Sequence, residues 1–143
     1  MKKSNIWEQT IVAVDLGINS AATISVLRSD GTILGRHFLK LPKEYDSLKH
    51  TLHRIKKAQQ NGNAKTPRLW AKAKGRNNDI AVKTANFIIE IAVQYEADVI
   101  VMEYLNKKGK KRGSKKQKLH LWKSGYVRSS KYKEKHLHVV YIN

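Results

Sequence analysis

Two carboxylates stand out in a chain that carries few. Asp15 lies in the apolar run Thr10-Ile-Val-Ala-Val-Asp-Leu-Gly-Ile-Asn-Ser20, and Glu103 closes a second one, Asp98-Val-Ile-Val-Met-Glu-Tyr-Leu105. A carboxylate in such a run is expected to be buried or half-buried, and an unpaired buried charge is costly unless a cation compensates it. Two carboxylates held close together also repel, and they tolerate each other by sharing a proton or a cation. Hard oxygen ligands of this kind suit Mg²⁺ or Mn²⁺, and metal so held activates water and stabilises the leaving oxygen in phosphodiester hydrolysis. Taken singly, each residue has a plainer role. Asp15 would be a turn aspartate capping Gly17 or Asn19, and Glu103 the partner of a nearby lysine. Their joint placement at the ends of two strands that should be adjacent favours one site over two unrelated roles.

The elements that must bring them together can be read from periodicity. Residues 10–18 form a first strand, residues 21–28 a loosely alternating second, and Ser29-Asp30-Gly31 a hairpin turn into a third strand over 32–41, ended by Pro42. Tyr45, Leu48, Leu52 and Ile55 recur at helical spacing between Pro42 and Asn61-Gly62-Asn63, which predicts a helix of about four turns. Thr66-Pro67 makes a good cap and first turn for another helical stretch, with an interruption expected at Gly75 and Asn77-Asn78. Ile80, Thr84, Phe87, Ile88, Ile91 and Tyr95 then form one stripe of a second major helix. Residues 98–105 read as a central strand covered on both faces, residues 106–118 as a basic loop, and residues 136–143 as a last strand. Weaker helical spacing marks 119–135.

This order predicts an α/β fold: a mixed sheet with three antiparallel strands, then parallel strands reached by right-handed crossovers, flanked by helices. The first, fourth and fifth strands would be parallel neighbours. Asp15 and Glu103 would then meet near the carboxyl ends of adjacent strands, where sites form in open α/β sheets.

Composition says what such a site faces. The chain has 143 residues, 41% of them hydrophobic, enough for one domain with a core. Its 29 Lys and Arg against 11 Asp and Glu give a formal net charge of +18, and a chain this basic usually meets a polyanion. Between Asp46 and Asp79 lie nine Lys or Arg and no acid, and between Glu103 and Glu134 twelve and no acid. Such runs are often solvated faces, but two acid-free tracts in one small domain favour phosphate binding. Nucleic-acid contacts are expected from Lys56, Lys57, Arg68, Lys72 and Arg76, and from Lys107, Lys108, Lys110, Lys111, Arg112, Lys115 and Lys116. Trp70 and Trp122, each beside lysines, have two readings, as stacking platforms for bases or as core residues. The histidines show no zinc-like grouping. The sequence holds no cysteine, which excludes disulfides and thiolate zinc sites, and no run long and apolar enough to cross a bilayer. The simplest expectation is a soluble intracellular protein.

A resemblance rests on these same residues. Val12-Ala-Val-Asp-Leu-Gly-Ile-Asn19, with Ile33-Leu-Gly-Arg36, Val101-Met-Glu-Tyr-Leu105 and Gly109-Lys-Lys-Arg-Gly-Ser-Lys-Lys-Gln-Lys-Leu-His-Leu-Trp122, resembles the RuvC-like nuclease domain of TnpB transposon proteins and related type V CRISPR effectors. Asp-Leu-Gly alone would also suit a sugar-kinase or actin-like half, but that reading lacks glycine-rich phosphate loops. The resemblance implies an RNase H-like fold that cuts DNA with Mg²⁺ (or Mn²⁺), under the direction of a guide RNA, in the cytoplasm and nucleoid of a prokaryote. Asp15 matches the family's first catalytic aspartate and Glu103 its catalytic glutamate, so both are the expected metal ligands. The family's third carboxylate has no counterpart here. Beyond Glu103 the only acid is Glu134, which does not match, and Lys123-Ser-Gly-Tyr-Val-Arg-Ser-Ser130 departs from the family's long helix. The expectation is therefore a single RuvC-like domain, C-terminally incomplete and impaired as a lone chain, or completed by a second polypeptide docking beside residues 136–143, where self-association is also plausible. The alternative is a catalytically inactive nucleic-acid-binding or assembly module of the same descent.

Overall fold

The computed structural model describes residues 8–18, 20–104 and 138–142. Five strands, β1 (Thr10–Asp15), β2 (Ala22–Arg28), β3 (Ile33–Leu39), β4 (Val99–Glu103) and β5 (His138–Ile142), form one sheet in the order β3-β2-β1-β4-β5. The first three are antiparallel, while β4 pairs parallel with β1 and β5 parallel with β4. The expected mixed sheet is the one formed. Its strands are shorter than the apolar runs containing them, because Leu16 and Gly17 already leave the ladder and the chain doubles back. A Cβ at Gly17 would come within 2.9 Å of the Ser20 carbonyl oxygen, so the turn needs a residue without one. In the β2–β3 hairpin, Gly31 takes φ +91°, open to glycine at little cost, and Asp30 Oδ1 accepts the Thr32 N–H at 2.8 Å.

Alternation along the strands decides which face is buried. Val12 and Val14 of β1, Ala22, Ile24 and Val26 of β2, and Ile100 and Met102 of β4 point to one face, where Ala81, Ala85, Ile88, Ile91 and Ala92 of a long helix cover them. The opposite face of β4 is only half-buried at Val99 and Val101, so the strand expected to be covered on both faces is fully covered on one.

The helices are α1 (Pro42–Gln60) and α2 (Pro67–Gln94). Leu48 and Ile55 of α1 bury against Ala73 and Ile80 of α2, with Tyr45, Leu52, Leu69 and Trp70 packed around them. The half-buried Trp70 thus takes the core role of its two readings. Helix α2 serves two cores in succession, its first half against α1 and its second against the sheet. This explains why the expected break does not occur. Asn77 is buried, Gly75 is accommodated, and the flanking apolar positions Ala73 and Ile80 are both held against α1, so packing outweighs the weak local propensity. Thr66 does occupy the cap position, but its hydroxyl makes no capping hydrogen bond and is buried without a partner among the described residues. At the other end, Ala97 N–H bonds to the Ala92 carbonyl at 2.8 Å and Glu96 N–H to the Val93 carbonyl at 3.1 Å, with Glu96 at φ +50°. This paired closure reverses the chain into β4.

Candidate active site

The position of Glu103 relative to Asp15 is set at the other end of their strands. Asp98, just before β4, accepts the Thr10 N–H through Oδ2 at 2.9 Å and donates its own N–H to the Thr10 carbonyl at 2.9 Å. This double clasp joins residues 88 apart and fixes the parallel register, in which Ile11 pairs with Val99 and Val14 with Met102. The next residue along each strand is Asp15 on β1 and Glu103 on β4. Asp98 was not singled out in the sequence, although its place before an apolar run was the available signal.

Because Val12 and Val14 face the helix-covered core, Ala13 and Asp15 face the other way, as do Val101 and Glu103 on β4. They line a cleft of about 460 Å³ with Thr23 and Ser25 of β2 and Ile142 of β5. Thr23 pairs with Asp15, and Ile142 with Glu103. Both carboxylates are exposed. The expected burial of Asp15 is therefore corrected: the last residue of a short strand, on the face without α2, is exposed to water. What the two carboxylates share is neighbouring strand positions lining one cleft, rather than burial.

The donor set of the cleft is two carboxylates and two hydroxyls, all hard oxygens. Magnesium is commonly held by one or two carboxylates while keeping several waters, so these residues fit it. Among the described residues, no group of three or more His, Asp or Glu side chains is placed to hold a metal ion. The hydroxyls of Thr23 and Ser25 went unremarked in the sequence as site residues, though the alternation of β2 put them on one face.

The expected nucleic-acid residues lie elsewhere. Lys56 and Lys57 are exposed on the last turns of α1, Arg68 and Lys72 are exposed on the first turns of α2, and Arg76 is half-buried in its middle. These turns belong to the α1–α2 pair and none of these cations lines the cleft, so the structure does not bring them to the carboxylates. Lys107, Lys108, Lys110, Lys111, Arg112, Lys115, Lys116 and Trp122, with the expected 106–118 loop, lie outside the described residues.

A family model for probable transposases, OrfB_IS605, matches residues 7–109, a span that contains both carboxylate strands. The chain belongs to this TnpB transposase family. The fold of this TnpB-family chain is that of a type V CRISPR effector, Cas12f1, solved by cryo-EM as a complex with sgRNA and target DNA. The TM-score is 0.63, with 99% of this chain and 37% of that one covered at 13% sequence identity. The chain thus spans well under half of that protein, and the likeness is one of RNase H-like fold. None of the curated proteins matches the TnpB-family chain.

Proposed function

We propose that the chain is a RuvC-like, metal-dependent DNA endonuclease domain of an RNA-guided transposon-type nuclease. The observation that carries this reading is the shared cleft of Asp15 and Glu103 at the carboxyl ends of adjacent parallel strands, in a family of transposases. Asp15 and Glu103 would hold Mg²⁺ or Mn²⁺, which supplies charge neutralisation and water activation for phosphodiester hydrolysis. The part played by the chain itself is to hold two carboxylates side by side, and to offer Thr23 and Ser25 as hydrogen-bonding groups on the cleft wall. Guide RNA and target DNA are the proposed partners, on the analogy of the complex in which the similar fold was solved.

A second reading is favoured by one specific observation, the lack of a third metal-binding side chain beside the two among the described residues. Two ligands hold metal more weakly than three, so the domain would bind nucleic acid or assemble with another polypeptide and cut little. Sheet edge β5, beside Glu103, is where a polypeptide supplying a further ligand would dock. The test is incubation with single-stranded DNA and Mg²⁺ or Mn²⁺, beside Asp15→Ala. Cleavage by the wild type that the variant loses supports the endonuclease. Cleavage that the variant retains overturns the site, and salt-sensitive binding with no cleavage supports the silent module.

A further inference from the structure

One cross-strand row carries both carboxylates of the cleft. The register sets Thr23 of β2 opposite Asp15 of β1 and Phe38 of β3 opposite Thr23, while Glu103 of β4 comes level with Asp15 and pairs with Ile142 of β5. Paired residues point to the same face, so Phe38, Thr23, Asp15, Glu103 and Ile142 cross the open face of the sheet in one line. Apolar side chains close it at both ends. Phe38 and Ile142 are exposed there, which leaves Asp15 as the polar neighbour of Thr23 along the row.

Distance decides which hydroxyl of the cleft wall serves Asp15. Directly opposed residues of an antiparallel pair have Cβ atoms about 4.5–5.5 Å apart, whereas diagonal neighbours stand about 7–8 Å apart. Thr23 is opposed to Asp15, while Ser25 is opposed to Ala13 and only diagonal to Asp15. Threonine and aspartate are both short, so the first separation suits a hydrogen bond between their side chains and the second is too long for serine. A hydroxyl donates one proton, and a carboxylate accepts through either oxygen. With Thr23 on one flank and Glu103 on the other, Asp15 has one oxygen for the hydroxyl and one for a cation shared with Glu103. Carboxylates that hold metal are themselves held by hydrogen bonds, which fix their orientation. Valine would satisfy the strand at position 23 as well as threonine does, since both are branched at Cβ. What threonine adds is the hydroxyl.

We infer that Thr23 is a positioning residue of the metal centre, whose hydroxyl donates to the Asp15 carboxylate and turns its other oxygen toward the cation shared with Glu103. The inference rests on the proposed reading that Asp15 and Glu103 hold a divalent cation, but not on cleavage.

The experiment is titration of the full chain with Mn²⁺, followed by the electron paramagnetic resonance of the free ion. Thr23→Val, which keeps the branched shape and removes the hydroxyl, should weaken Mn²⁺ binding roughly tenfold, while Thr23→Ser, which keeps the hydroxyl, should stay within about twofold of the wild type. Thermal melts separate binding from folding. In EDTA the Tm of Thr23→Val should match the wild type, and added Mn²⁺ should raise it less. Should Thr23→Val fail to fold, Thr23→Ala removes the same hydroxyl and is expected to weaken binding similarly. Wild-type Mn²⁺ affinity in folded Thr23→Val or Thr23→Ala overturns the role of Thr23, as does an equal loss in Thr23→Ser. Asp15→Asn reports on the reading beneath it. Loss of binding in Asp15→Asn with wild-type affinity in Thr23→Val leaves the cleft standing and sinks Thr23 alone, whereas Mn²⁺ binding that is absent from the wild type or unchanged in Asp15→Asn overturns the cleft reading and the inference with it.

Discussion

At the scale of single residues, position in an element matters more than residue type. Asp15 and Glu103 are exposed at strand ends and line one cleft because Asp98 sets the register that brings them level. Removing that clasp with Asp98→Ala should cost about 1–2 kcal/mol, since the Thr10 N–H loses its side-chain acceptor. Urea denaturation measures this, and Asp98→Asn, which retains an acceptor oxygen, should lose less. Tyr45 shows what burial does to a phenol. Packed between the helices, its hydroxyl is pushed up to about 12 from an ordinary 10.0. Its folded-state value is raised, so the stabilisation is complete below the unfolded value and is lost as pH rises from about 10 towards 12. Denaturation followed across that window should show stability falling, and Tyr45→Phe should fall less steeply. Equal slopes would show that Tyr45 is ionised as freely in the folded chain as in the unfolded one.

At the scale of elements, α2 is the organising piece. Its 28 residues span about 42 Å, long enough to pack first against α1 and then across the sheet. The apolar stripes of both helices were legible because a periodic face reports burial directly: Leu48 and Ile55 on α1, and Ile80, Ile88 and Ile91 on α2, are buried as their spacing implies. The continuity of α2 through Gly75 and Asn77 was not legible, since local propensity argues for a break and only packing against α1 opposes it. The end of α2 carries a local cost, with Glu96 held at φ +50° where glycine is at ease. Glu96→Gly should therefore stabilise the chain by about 1 kcal/mol, read as a rise in Tm. An unchanged or lower Tm would mean that the glutamate side chain makes a compensating interaction.

At the scale of the whole molecule, two charge environments lie apart. One face of the sheet presents the acidic cleft, while the basic tract lies on α1 and the first half of α2, which pack against each other. On the proposed function a strand would be held by phosphate contacts, so its affinity should fall steeply with salt, by about 0.7 in logarithmic slope for each phosphate neutralised on a single strand. Anisotropy titrations over a range of salt concentrations check this, and a flat response would refute a phosphate-driven interface. The sequence by itself determined the strand and helix types, the sheet order, the two carboxylates and the family, because these depend on patterns a few residues long or on motifs that stand intact in the chain. Only the tertiary structure decided that Asp15 is exposed, that Asp98 sets the register and that α2 runs unbroken. Each of these depends on groups brought together from distant parts of the chain, where burial and pairing are settled by packing rather than by local pattern.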